Sequence, residues 1–207
     1  MLAGAGGFGI LRPMDLYGRL EELQGMTRML IDDVSLLRPL IGEGDDDPSA
    51  VMKSCRRCYV RAVFALVEAF VEQHRRLLVE LVSAGMIAVP EPKLRELREI
   101  KDVLDATGAV VGQREKYLQI VDKIKAVYKA AGDAFGEQLN ITFGNDGWNT
   151  FRAAMELRNQ VTHPKTVDDC WLFEGHLQNV NAASEWFEEL QNEFVRVARA
   201  HRAAHRW

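Results

Sequence analysis

Apolar residues recur along this chain at helical spacing. From Asp15 onward, Leu16, Leu20, Leu23, Leu30, Val34 and Leu37 follow at steps of three, four or seven, which predicts one face of a long helix. Pro39 and the acidic run from Glu43 to Pro48 end it, and a second helix is expected to start near Pro48 and Ser49. Its stripe is Val63, Leu66, Val67, Phe70, Val71, His74, Leu77, Leu78 and Leu81, with Arg61, Glu68, Glu72, Arg75 and Arg76 opposite, so it is expected to be the central helix. Gly85 and the segment from Pro90 to Pro92 stop it. Leu94, Leu97, Ile100 and Leu104 then predict a shorter helix closing at Gly108. Another helix is predicted from about Gln113 to Ala134, followed by a loop over 136–147. Asn145, Asp146 and Gly147 place cap-forming residues before an apolar-periodic run from Trp148, which ends at His163 because Pro164 pushes the residue before it out of the helical region. A last helix is expected over roughly Leu177 to Ala200.

No segment alternates with the two-residue period of a half-buried strand. The pattern therefore predicts an all-α fold, an up-and-down bundle of four to six helices over residues 14–207, with residues 1–13 as a flexible, Gly-rich tail.

Composition supports that reading. The chain has 207 residues, 47% of them hydrophobic and 27% charged, enough for one domain that buries roughly 70% of its unfolded surface. A formal net charge of -4 argues against bulk-charge binding of polyanions, so any nucleic-acid contact must be local. Three cysteines, an odd number, fit a reducing, cytoplasmic setting better than a disulfide framework. The longest apolar stretch, Val60 to Val71, is broken by Arg61 and Glu68 and is too short for a membrane span of roughly 20 residues.

Candidate chemistry concentrates in residues 148–165. At helical pitch Phe151, Ala154, Met155, Leu157 and Val161 form one apolar arc, and Arg158 falls in its middle. A guanidinium is almost never buried alone, so Arg158 needs a partner carboxylate, a subunit interface or an anionic ligand. Asn159 and His163 lie four residues apart at the edge of that face, where they can touch. With Pro164 ending the helix, His163 is expected to turn toward Arg158, so that Arg158, Asn159 and His163 converge.

The run Arg158-Asn159-Gln160-Val161-Thr162-His163 resembles the Arg, polar residue, three-residue gap, His signature of the HEPN superfamily (higher eukaryotes and prokaryotes nucleotide-binding domains). Members are helical bundles with the motif near the end of a late helix, so the likeness spans most of the chain. It implies a metal-independent endoribonuclease with no cofactor, whose site is shared across a homodimer. In that site Arg158 would stabilise phosphate charge, His163 would transfer the proton and Asn159 would orient the other two. Lys165 and Arg152 would add substrate contacts. A toxin or phage-defence role, with an antitoxin or regulatory protein as partner, belongs to the same implication. Members paired with a nucleotidyltransferase antitoxin carry a modified Tyr two residues past the His; here that position is Lys165, which argues against such modification. The spacing also occurs at Arg196 to His201 and Arg199 to His205, but Val197 replaces the polar residue of the first and both lie in a basic C-terminal tail.

The competing reading is a non-catalytic helical bundle that binds a partner protein or RNA, with Arg158 held by an acid such as Glu68. Weaker signals are Cys55 and Cys58, a single CxxC on a helix for which surface cysteines are the simpler account, and Arg56, Arg57 and Arg61, read as a solvated basic face that could serve RNA. His74 reads as a core histidine. Trp186, Phe187 and Phe194 read as core or dimer packing.

Overall fold

Ser49 and Gly85 bracket the helix on which the fold is built. The Ser49 hydroxyl accepts the N–H of Met52 at 3.1 Å and so satisfies one of the donors left open at a helix start. At the other end Gly85 takes φ 71°, the Met86 N–H reaches back to the Leu81 carbonyl, and the Gly85 N–H reaches Val82. Glycine is suited to this left-handed closing turn because it has no Cβ to clash. Between them runs α2, Ala50–Ser83, with Val60, Val63, Phe64, Val67, Val71 and Leu78 buried. The computed structural model describes residues 13–44, 48–115, 118–136, 139 and 142–205.

Around α2 stand α1 (Pro13–Leu37), α3 (Glu91–Leu97), α4 (Ile120–Phe135), α5 (Asp146–Thr162) and α6 (Glu174–His205), with short 3-10 turns at Arg38–Leu40 and Asp168–Cys170. Helices α1, α4, α5 and α6 all pack on α2, and α5 also packs along α6. The apolar positions of these helices meet in one core whose densest part is aromatic. Phe64 meets Phe151 edge-on at 5.9 Å between centroids, Trp148 and Phe187 stack on Phe151, and Trp186 lies tilted beside it. The expected tail over 1–13 lies outside the described residues except Pro13, the first residue of α1. The C-terminal basic segment is not a tail, since α6 continues through His205. Among the described residues no helix is long and apolar enough to cross a membrane.

The all-α expectation needs one correction. In place of a helix reaching Leu104, α3 stops at Leu97, and β1 (Ile100–Leu104) pairs antiparallel with β2 (Val110–Glu115). Two local features override the helical spacing. Glu99 adopts φ 55°, which turns the chain out of the helix. Asp105 then accepts the N–H groups of Thr107 and Ala109 through one carboxylate oxygen, a turn closed by Gly108 at φ 83°. The neighbouring Ile100, Val103, Val110 and Val111 favour extended backbone. In consequence the helix expected from Gln113 begins only at Ile120, and Tyr117 lies outside the described residues.

His74 is a core histidine. It is 6% exposed, stacks on Phe194 at 3.7 Å, and its Nδ1 lies 3.1 Å from the Tyr128 hydroxyl, which also accepts from Gln191 Nε2 at 2.6 Å. Burial lowers its pKa to about 3 and raises that of Tyr128 well above the ordinary phenol value. The unfolded chain therefore binds a proton near pH 6.5 that the folded chain refuses. The stability tied to neutral His74 is complete above pH 6.5 and lost as pH falls toward 3, by about 2 kcal/mol at pH 5. Urea denaturation at pH 7 and pH 5 should show that loss in the wild type and a much smaller one in His74→Phe.

Gly147, in the first turn of α5, is a packing glycine. A Cβ there would lie 2.3 Å from Trp186 Cδ1 and 3.0 Å from Cγ, inside the aromatic core. Gly147→Ala should cost about 1–3 kcal/mol despite the better helix propensity of alanine. Gly175 in α6, with open space at the same position, should instead tolerate or gain from alanine. Chemical denaturation of the two variants checks the opposite signs.

Candidate functional site

The last turn of α5 is fixed from both ends. Asn145 Oδ1 accepts the Trp148 N–H at 2.9 Å and Asp146 stands in the first turn, so the helix starts where the sequence places its cap. Phe151, Ala154, Met155 and Val161 are buried against α2 and α6. At the C-terminus, the N–H of His163 bonds Asn159 O at 2.9 Å, Thr162 Oγ1 donates to Arg158 O at 2.7 Å, and Arg61 Nη2 from α2 donates to Val161 O at 2.6 Å. Arg61 thus supplies both a donor and a positive charge to open carbonyls at the negative end of the helix dipole. His163 leaves the helix at φ -129°, ψ 61°, ahead of Pro164.

Arg158 stands at the edge of the buried face, with its side chain 24% exposed. Its Nη2 donates to Glu68 Oε1 at 2.6 Å, and its Nη1 donates to Asn159 Oδ1 at 3.1 Å. The guanidinium therefore has the partner carboxylate its position demands, on α2, and the neighbouring Asn159 holds its other arm. With Glu68 itself 41% exposed, solvent screens the pair and limits its contribution to about 1 kcal/mol or less.

Arg158 and Asn159 line a cleft of about 640 Å³ between α2, residues 118–123 and α5, together with Arg152, Glu156, Lys123, Glu68 and Glu72. Glu72 is tied into a charge cluster. Arg75 grips both its oxygens at 2.7 and 2.8 Å, Arg76 reaches it at 2.7 Å, and Lys123 joins it to Glu99, which it meets at 2.8 Å. Burial by itself would raise the Glu72 pKa, but these hydrogen bonds and charges outweigh it and hold the carboxyl at about 2. Its contribution to stability is present above pH 4.5 and lost as pH falls toward 2. The cleft thus carries both signs of charge. Arg152 is exposed and is a cation of its lining with no ion-pair partner among the described residues.

The structure brings Arg158, Asn159 and Arg152 to one cleft and leaves His163 and Lys165 off its lining. His163 is exposed at the end of α5, its ring without a hydrogen-bond partner among the described residues. Lys165 is exposed in the following turn, where its backbone N–H and that of Thr166 bond Asp169 Oδ2. The three motif residues thus share one helix end but not one cavity within a single chain. The apolar arc of α5 is covered inside the chain by α2 and α6, so it does not call for a second copy to cover it.

One further residue departs from the sequence reading. Arg56 is no part of a basic face; it is fully buried and donates to three backbone carbonyls, Ile41 at 3.0 Å, Leu172 at 2.9 Å and Gly44 at 2.6 Å. The signal was its place four residues before Val60, on the apolar side of α2. Arg61 is exposed, as expected of a solvated face, and also ties α2 to the end of α5 through Val161 O. Cys55, Cys58 and Cys170 are free thiols, and no group of three metal-ligating side chains occurs among the described residues.

No protein-family model, no curated protein and no solved structure matches the chain.

Proposed function

We propose that the chain is a metal-independent endoribonuclease of the HEPN type, cleaving RNA at a composite Arg158, Asn159 and His163 site, with Arg152 and Lys165 contacting substrate. The observation that carries the reading is the last turn of α5. There a guanidinium held by Asn159 and Glu68 faces a cleft, and one turn later the helix ends on an exposed imidazole.

The chemistry needs little more. The RNA 2'-hydroxyl is the internal nucleophile. His163 removes its proton, the oxygen attacks the adjacent phosphorus, and the 5'-oxygen leaves with a proton returned to it. Arg158 grips the phosphate oxygens as negative charge builds, exchanging its bond to Glu68 for one to substrate. Because His163 lies off the cleft that holds Arg158, the reading takes the His163 facing each Arg158 from a second, two-fold related copy. A toxin or phage-defence role, under an antitoxin or regulatory protein, fits such an enzyme.

The test is incubation with labelled RNA in EDTA. Wild type should cleave RNA and spare DNA, and Arg158→Ala should be inactive while folding normally.

The Arg158 to Glu68 bond also favours a second reading, a non-catalytic bundle that binds a protein or RNA and uses this pair to join α2 to α5. On that reading Arg158→Ala and Glu68→Ala lower stability equally and no RNA is cut. On the first, Glu68→Ala folds and Arg158→Ala alone abolishes cleavage.

A further inference from the structure

Beside the end of α5, the segment after His163 builds a second surface. Trp171 and Phe173 are each 49% exposed, and they wall a recess of about 330 Å³ with Val167 and Leu172. Adjoining exposed apolar side chains rimmed by polar residues are the kind of surface that meets a ligand. The lining holds two cations, Lys53 and Arg57, and no carboxylate. Of the acids in the adjoining turn, Asp169 is engaged by the N–H groups of Lys165 and Thr166, and Asp168 lies outside the lining.

The cations continue along α2. Lys53, Arg57 and Arg61 are spaced four residues apart, which sets them in a row on one side of the helix, each step climbing about 6 Å. The row is anchored against the segment that follows α5. Lys53 Nζ sits 4.9 Å from the Trp171 ring centroid, Arg57 Nη1 donates to Cys170 O at 3.4 Å, and Arg61 Nη2 donates to Val161 O. It therefore leads from the aromatic wall to the helix end that carries His163.

We infer that this wall and row are a docking track for single-stranded RNA, with an unpaired base stacked on Trp171 and backbone phosphates on Lys53, Arg57 and Arg61. An aromatic face beside a line of cations is the combination by which single strands are bound without sequence readout. Only an unpaired base can reach an indole in this way. The choice of RNA over DNA rests on the ribonuclease reading above; the track itself rests on the wall and the row.

The experiment is fluorescence anisotropy with a short labelled oligouridylate, in EDTA and low salt, on full-length His163→Ala protein, so that bound RNA is not cut. Adding Trp171→Ala should weaken binding about tenfold, the scale of one lost base stack. Trp171→Phe should restore most of it, and Lys53→Gln should reduce the salt slope by about one. Unchanged affinity in Trp171→Ala overturns the track while leaving the ribonuclease reading to its own cleavage assay. Trp171-dependent binding by a wild type that cuts no RNA keeps the track and overturns the nuclease. No binding at all overturns the track and points to a protein surface instead, and equal binding of a duplex of matching length overturns it by showing backbone charge contact without base stacking.

Discussion

Replacing Arg56 by methionine lowers the free energy of unfolding by about 3–5 kcal/mol in chemical denaturation. Methionine fills much of the space but donates nothing, so the carbonyls of Ile41, Gly44 and Leu172 lose their shared donor. A buried acceptor left unpaired costs about 1–3 kcal/mol, and the half-buried Gly44 can recover part of that from water. Arg56→Lys restores only a part, because one ammonium cannot span three carbonyls that a planar fork reaches together. Arg57→Ala, one residue on, should cost less than about 1 kcal/mol, since its single bond to Cys170 O is long at 3.4 Å. Arg56 joins the segment before α2 to the segment before α6, so its loss should loosen both ends. An Arg56→Met protein as stable as the wild type would contradict this.

The second large effect is on activity. His163→Ala should lower RNA cleavage by about 10²–10⁴-fold, the usual worth of a positioned general base. Its melting temperature should stay close to that of the wild type, because the ring is exposed and makes no hydrogen bond among the described residues. Arg158→Ala should fall by a comparable factor through lost stabilisation of phosphate charge. A shared site adds a signature that a single-chain site lacks. On the proposed shared site, co-expressed His163→Ala and Arg158→Ala chains should form mixed dimers that retain one intact site, and about a quarter of wild-type activity should return. Mixtures as inactive as either parent would place the whole site within one chain.

Much of the frame was legible because it rests on local rules. The start of α5 at Asn145 and its end before Pro164 follow from cap chemistry and proline sterics, and both appear where the residues put them. Of the α2 stripe, Val63, Val67, Val71, His74, Leu78 and Leu81 are buried, while Leu66, Phe70 and Leu77 are half-buried at its edge. The hairpin at 100–115 was not legible from period alone. Leu94, Leu97, Ile100 and Leu104 satisfy helical spacing, and the deciding features are the Asp105 turn and a backbone reversal at Glu99. Arg56 was misread because a charged residue on an apolar face can be either surface or staple. Only the tertiary positions of Ile41, Gly44 and Leu172 decide between them. Glu68 could be named as the acid for Arg158, but spacing cannot show the contact, since it joins residues ninety positions apart in sequence.

Product analysis distinguishes 2'-hydroxyl chemistry at the end of α5 from any other route to RNA cleavage. RNA cleaved by the wild type in EDTA should carry 2',3'-cyclic phosphate ends, and the same RNA with a 2'-deoxynucleotide at the cleavage position should resist cutting there. His163→Ala and Arg158→Ala should each abolish those ends. Cleavage of equal extent by wild type and both variants, or cutting that persists at the 2'-deoxy position, would rule out a ribonuclease site at Arg158 and His163.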